Sequence, residues 1–177
     1  MVWKDELMTD LYIVRHGLAV EPGTPGMTDD ERPLTAKGER RMRQIGRGLR
    51  TLDVKLDRIV TSPLPRARAT AEIIADALDA RGVLESSNVL QAGTSAATVH
   101  RWLRERTEER LMIVGHNPTL SDLLSLLVLG STQPLICDMK KGAVAALGQK
   151  GGARDLYELL WIAPPRLIRG LMDGDAD

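Results

Sequence analysis

The residues able to do chemistry in this chain begin with Arg15-His16-Gly17, which directly follows the apolar run Leu11-Tyr12-Ile13-Val14. A second histidine arrives in the same way, where Leu111-Met112-Ile113-Val114-Gly115 runs into His116-Asn117-Pro118. A third segment, Ser62-Pro63-Leu64-Pro65-Arg66-Ala67, follows a shorter apolar run and brings another arginine. Unprotonated imidazole is a competent nucleophile near neutral pH. Arginine grips phosphate oxygens in a bidentate way, and the free N–H groups of a helix start favour an anion. Residues of these types at strand ends suggest a site that holds a phosphoryl group and takes it onto a histidine.

Those residues need a scaffold that brings three distant segments together. Apolar runs predict strands over Leu11 to Arg15, Asp57 to Thr61, Val83 to Leu90 (weakly), Arg110 to Gly115, Gly142 to Leu147 and Asp155 to Ile162. The first, second and fourth are nearly all apolar, the pattern of central strands covered on both faces. Helical spacing links Met42, Ile45, Leu49 and Leu52, with Thr35 as the cap, and then Ala71, Ile74 and Leu78, ending near Gly82. A third helix carries Val99, Trp102 and Leu103. A fourth, opened by Pro118 and closed by Gly130, carries Leu120, Leu123, Leu124, Leu127 and Val128. This alternation predicts a three-layer αβα sandwich with a mixed, mostly parallel sheet. The short link Gly148 to Gly152 leaves no room for a crossover helix, so the last two strands are expected to pair as a hairpin, with an antiparallel strand at an edge. In such sheets ligands bind beyond the carboxyl ends of the strands, where the three chemical segments converge.

With 177 residues the chain fits one domain, its motif-bearing core from about 11 to 162 and a C-terminal tail over 164–177. Basic and acidic residues balance at 24 each, which gives no electrostatic case for a nucleic-acid or membrane partner. No apolar run approaches membrane-spanning length, and residues 1–10 lack a signal-peptide core, so a cytoplasmic location is the default expectation. The single cysteine, Cys137, is expected to pack as a small hydrophobe. No convincing metal-ligand cluster is present, and the chemistry outlined above calls for no metal or other cofactor.

Four blocks, in order, resemble the histidine phosphatase superfamily. They are Leu11 to Gly17, then Arg32-Pro33-Leu34-Thr35-Ala36-Lys37-Gly38, then Ser62 to Thr70, and last Gly115-His116-Asn117-Pro118 through Leu123. The Arg-Pro-Leu-Thr-x-x-Gly block, the Gly-His-Asn-Pro block and the short chain are most similar to SixA-type phosphohistidine phosphatases. The resemblance implies a phosphoglycerate mutase-like fold. It also implies His16 as nucleophile, with Arg15, Arg66 and His116 binding and stabilising the transferring phosphate. In the family mechanism a neutral His16 attacks phosphorus and water then hydrolyses the phosphohistidine enzyme; His116 would act in its protonated form.

One departure bears on the substrate. Family members that cleave phosphate esters carry an acid after the third strand, where this chain has Val89-Leu90-Gln91-Ala92-Gly93-Thr94-Ser95, and Glu85 lies too early. Losing general-acid help costs about 10²–10⁴-fold in rate. Phosphohistidine needs less help, because its leaving imidazole has a pKa of about 6.5. A phosphorylated protein carrying phosphohistidine is therefore the expected substrate. An open, unroofed site in a chain this short points the same way. A small-molecule phosphomonoesterase drawing its acid from Glu21, Asp29, Asp30 or Glu31 is the first alternative, and a phosphate-binding module without turnover the second.

Three further residues flank the motifs. Ser62 is expected to cap a helix in preference to touching ligand, Thr70 to be structural with the site within reach, and Asn117 to orient its loop. The densest basic run, Arg40, Arg41, Arg43, Arg47 and Arg50, reads as a solvated helix face, with docking of an acidic protein as its alternative.

Overall fold

The computed structural model describes residues 11–149 and 155–171; the segments 1–10, 150–154 and 172–177, including most of the expected hairpin turn and the end of the expected tail, lie outside the described residues. In chain order the elements are β1 (Leu11–Arg15), α1 (Ala36–Thr51), β2 (Arg58–Thr61), α2 (Pro65–Ala77), β3 (Leu84–Ser86), α3 (Ala96–Arg104), β4 (Leu111–Gly115), α4 (Thr119–Leu129), β5 (Val144–Gln149), β6 (Tyr157–Ala163) and α5 (Pro165–Gly170). The strands form one sheet in the order β3-β2-β4-β1-β5-β6.

Burial explains why the central strands lack polar alternation. In β1, Leu11 and Ile13 join the core beneath α3 and α4, while Tyr12 and Val14 join the core beneath α1 and α2. In β4, Leu111 and Ile113 face the first core, and Met112 and Val114 the second. Each strand is thus buried on both faces, as a sheet sandwiched between helical layers requires. The expected αβα architecture is the one observed.

Two elements differ from expectation in an informative way. The hairpin forms, but the strand that runs against the others is β5, which pairs with β1 on one side and β6 on the other. The edge strand β6 therefore runs in the same sense as β1. Of the weak strand expected over Val83 to Leu90, only Leu84–Ser86 pairs, with a 3₁₀ turn on either side.

Helix α1 starts where Thr35 accepts the N–H of Gly38 and ends at Leu52, whose side chain is exposed and outside the core stripe. The segment after β6 is more than a tail. Pro165 opens α5, and Ile168 is buried to 1% exposure against α1, where the Ile168 carbonyl leaves no room for a Cβ at Gly48. Cys137 is half-buried against the core beneath α4. Among the described residues no helix is long and apolar enough to cross a membrane.

Candidate active site

The register of the sheet decides which residues meet. Arg15 pairs with Gly115 in the parallel β1–β4 ladder, so His16 and His116 are the next residues along two adjacent strands. The His16 N–H donates to the Gly115 carbonyl at 3.1 Å. The two imidazole rings lie with centroids 5.1 Å apart. β2, on the far side of β4, delivers Ser62 and then α2 with Arg66. A cleft of about 350 Å³ opens there, lined by Arg15, His16, Arg66 and His116 together with Glu21, Asp29, Arg32, Ala92, Asn117 and Lys141. The four residues expected to hold and take the phosphoryl group are brought together.

The tautomer of His16 follows from its neighbour. Its Nδ1 lies 2.7 Å from the Gly17 carbonyl oxygen. A carbonyl only accepts, so Nδ1 carries the proton and Nε2 keeps its lone pair. Burial pushes the His16 pKa down to about 4; the Gly17 carbonyl opposes that, and the charges of Arg66, Arg15 and Lys141 add to it. The ring is neutral at pH 7 and carries one free, nucleophilic nitrogen.

His116 is held differently. Its Nε2 lies 2.8 Å from the Ser62 hydroxyl, whose oxygen also accepts the Leu64 N–H at 3.3 Å. The rotatable hydroxyl can donate to Nε2, and in that tautomer the ring proton sits on Nδ1. That Nδ1 is buried and has no partner among the described residues. Burial, followed by His16 and Arg66, pushes the His116 pKa down to about 3. Desolvation and the neighbouring charges thus favour the neutral ring of His116 over the protonated form that the family resemblance implies. Ser62 is not the cap of α2 either; Leu64 occupies that position, and Ser62 supports His116.

Thr70 reaches the site through the backbone. Its Oγ1 accepts the Gly17 N–H at 3.0 Å and donates to the Arg66 carbonyl at 2.7 Å. One side chain thereby ties the residue after the nucleophile to the turn of α2 that carries Arg66. Asn117 orients its loop, donating from Nδ2 to Asp138 Oδ1 at 2.8 Å and to the Met139 carbonyl at 3.2 Å.

Two features escaped the reading of the sequence. The segment Asp138 to Gly142 backs the site: the Met139 carbonyl accepts Arg15 Nη1 at 2.5 Å, and the Gly142 N–H bridges the carbonyls of Arg15 and His16. Gly142 has φ +84°, which a side chain would strain, and that glycine was the available signal. The second feature is Arg32, a third arginine in the cleft, only 8% exposed. It donates Nε to Asp29 Oδ1 at 2.8 Å and Nη1 to the Val20 carbonyl at 2.7 Å.

Asp29 joins these arginines. Its carbonyl oxygen accepts Arg66 Nη1 at 2.7 Å and its Oδ2 accepts Arg66 Nη2 at 3.1 Å. Slight burial pushes the Asp29 carboxyl up, but Arg32 and Arg66 outweigh it and hold it below the usual carboxylate range. The loop from Gly17 to Pro33 thus reaches across to α2 and walls one side. The site is less open than expected, with His16 at 5% and His116 at 3% exposure on its floor. Glu85 stands away from the cleft, paired with Arg106 at 2.9 Å, and Ala92 occupies the wall where the segment after β3 passes. Glu21 and Asp29 are the carboxylates lining the cleft among the described residues. No group of three or more His, Cys, Asp or Glu among those residues is placed to hold a metal ion.

Residues 11–91 match the model of the histidine phosphatase superfamily (branch 1). An uncharacterized protein of Picosynechococcus sp. is 34% identical over 156 residues, covering 82% of this chain and 87% of that protein. The phosphohistidine phosphatase SixA of Escherichia coli is 27% identical over 128 residues, 71% of this chain and 78% of that one. The probable phosphoglycerate mutase GpmB of Klebsiella pneumoniae is 42% identical over 97 residues, but the match spans 46% of this chain and 43% of that protein. Among solved structures, that of the protein histidine phosphatase SixA complexed with tungstate superposes with a TM-score of 0.78 at 24% identity, covering 89% of this chain and 98% of that one. The chain belongs to the histidine phosphatase superfamily.

Proposed function

We propose that this protein is a phosphatase that works through a phosphohistidine intermediate on His16, and that its substrate is phosphohistidine in a protein. The observation that carries the mechanism is the fixed tautomer of His16, with Nδ1–H on the Gly17 carbonyl and Nε2 unprotonated. Nε2 attacks phosphorus in line, and the bond to the leaving group breaks. Arg15, Arg66 and the Nδ1–H of His116 take the charge of the equatorial oxygens, in a site where fixed donors need no reorganisation. The buried Nδ1 of His116 has no partner among the described residues, and a phosphoryl oxygen would give it one. Water then cleaves the N–P bond of the phosphoenzyme and inorganic phosphate leaves.

The substrate preference rests on proton supply. An alkoxide leaving group needs an acid, whereas phosphohistidine protonated on its distal ring nitrogen expels neutral imidazole. No carboxyl lies in the segment 89–95, and Asp29 is held ionised by two arginines. The similarity to SixA supports the same substrate class. A second reading, a small-molecule phosphomonoesterase, is favoured by the one fact that Glu21 and Asp29 both line the cleft.

The test is paired turnover by wild type and His16→Ala of a histidine-phosphorylated protein and of a panel of small phosphate esters. Fast loss of phosphohistidine with slow ester cleavage, both abolished in the variant, is the expected result. Fast ester turnover that collapses when Glu21 or Asp29 is neutralised would move the assignment to the second reading. Absence of turnover on every substrate would leave a binding module.

A further inference from the structure

Beside the phosphate cleft lies a second one, of about 280 Å³, floored by Gly17 and Met42. Its walls carry five cations: Arg41 from α1, Lys140 and Lys141 from the segment before β5, and Arg166 and Arg169 from α5. No carboxylate lines it among the described residues. Lys140 leans on Asp138 at 3.3 Å, and Arg169 donates to the Pro165 carbonyl. Arg41, Lys141 and Arg166 have no ion pair among the described residues.

That concentration stands out in a chain with no net charge. Several cations elsewhere on the surface are matched: Arg68 with Glu72, Arg104 with Asp155, Arg110 with Asp57. Along α1, Arg43 pairs with Glu39 and Arg50 with Asp79, while Arg41 lines the second cleft. The basic run of α1 therefore divides, and Arg41 turns toward the second cleft. The wall carrying Arg166 and Arg169 is held against the one carrying Arg41, because α5 is anchored on α1 through buried Ile168. Unmatched like charges held together raise the local potential and favour an anionic partner.

The two clefts are neighbours that share one lining residue. Lys141 lines both, and its charge helps lower the pKa of His16. Gly17, which follows His16, lines the second. A polypeptide whose phosphohistidine occupied the first cleft would leave it across Lys141 and enter the second.

We propose that the basic cleft is a docking groove for acidic residues that flank the phosphohistidine of a protein substrate. The inference rests on the reading of the site as a phosphohistidine phosphatase and adds a sequence preference to it. The occupant is a carboxylate-bearing chain, because the groove offers separated point charges along a path out of the catalytic cleft.

The experiment compares two phosphohistidine peptides, one with four flanking glutamates and one with four glutamines, and phosphoimidazole as a flank-free substrate. Wild type is expected to favour the glutamate peptide in kcat/KM by about tenfold, the scale of three exposed ion pairs acting together. The preference should fade as salt shortens the screening length. Arg41→Glu with Arg166→Glu should abolish or reverse the preference and leave phosphoimidazole turnover unchanged. Equal turnover of the two peptides by wild type, or a preference that survives the charge reversal, would overturn the groove. Binding of the unphosphorylated glutamate peptide, read by fluorescence anisotropy, tests it without any turnover. Binding that weakens at least threefold in the double variant supports the groove, and unchanged binding overturns it, whether or not the phosphatase reading stands.

Discussion

His16 and His116 face one another with ring centroids 5.1 Å apart because β1 and β4 are paired in register at Arg15 and Gly115. Two buried imidazoles that close cannot both become imidazolium beside three arginines. Burial sets their pKa values at about 4 for His16 and about 3 for His116, below the ordinary value near 6.5. The neutral forms therefore persist from pH 7 down to those values, while the unfolded chain protonates near 6.5. Stability is consequently lost as pH falls from about 6.5 toward 4, where the unfolded state binds the extra protons. NMR of labelled histidine side chains at pH 6 should show both rings neutral, with His16 protonated on Nδ1. An imidazolium signal from His16 at that pH would contradict the account.

Thr70 joins Gly17 to Arg66 through a single hydroxyl. Thr70→Val keeps the shape but leaves the buried Gly17 N–H unpaired, at about 1–3 kcal/mol of stability. The nucleophile loses its fixed position relative to Arg66, and small misplacements cost up to about a hundredfold in rate. The expected result is kcat lowered by about tenfold or more with KM little changed, and recovery in Thr70→Ser. A fully folded Thr70→Val with wild-type kcat would make the contact structural only.

The Asp29 carboxylate sits on Arg66 and Arg32, where phosphate oxygens would otherwise find donors. Its side chain is 56% exposed, so screening limits the strength of these pairs. Asp29→Asn should tighten inhibition by inorganic phosphate by about twofold to fivefold, the range of a partly exposed ion pair. Turnover of phosphohistidine should survive. Loss of ester turnover by about 10²-fold or more in the same variant would instead identify Asp29 as a general acid.

Much of this site was legible because each chemical residue ends an apolar run. A strand buried on both faces leaves no polar position until it emerges, so Arg15-His16 and Gly115-His116 mark the sheet's edge directly. The supports were harder to read. Arg15 is held by the Met139 carbonyl and Gly142, which lie 124 and 127 positions away in a segment with no periodicity. Arg32 stood in a quoted motif, yet its burial depends on Val20 and Asp29 folding around it. The six residues of α5 are too few for a helical stripe, and Ile168 becomes a core residue only against Gly48. The reversed direction of β5 follows from its pairing with β1, a tertiary choice that a hairpin pattern leaves open.

The central claim is that His16 carries the phosphoryl group. Wild-type protein mixed with a histidine-phosphorylated protein, quenched in alkaline denaturant within the first turnovers and mapped by mass spectrometry, tests it directly. The account predicts phosphate on His16, and neither label nor turnover in His16→Ala. Phosphate found on another residue, or turnover that persists in the variant, would contradict it.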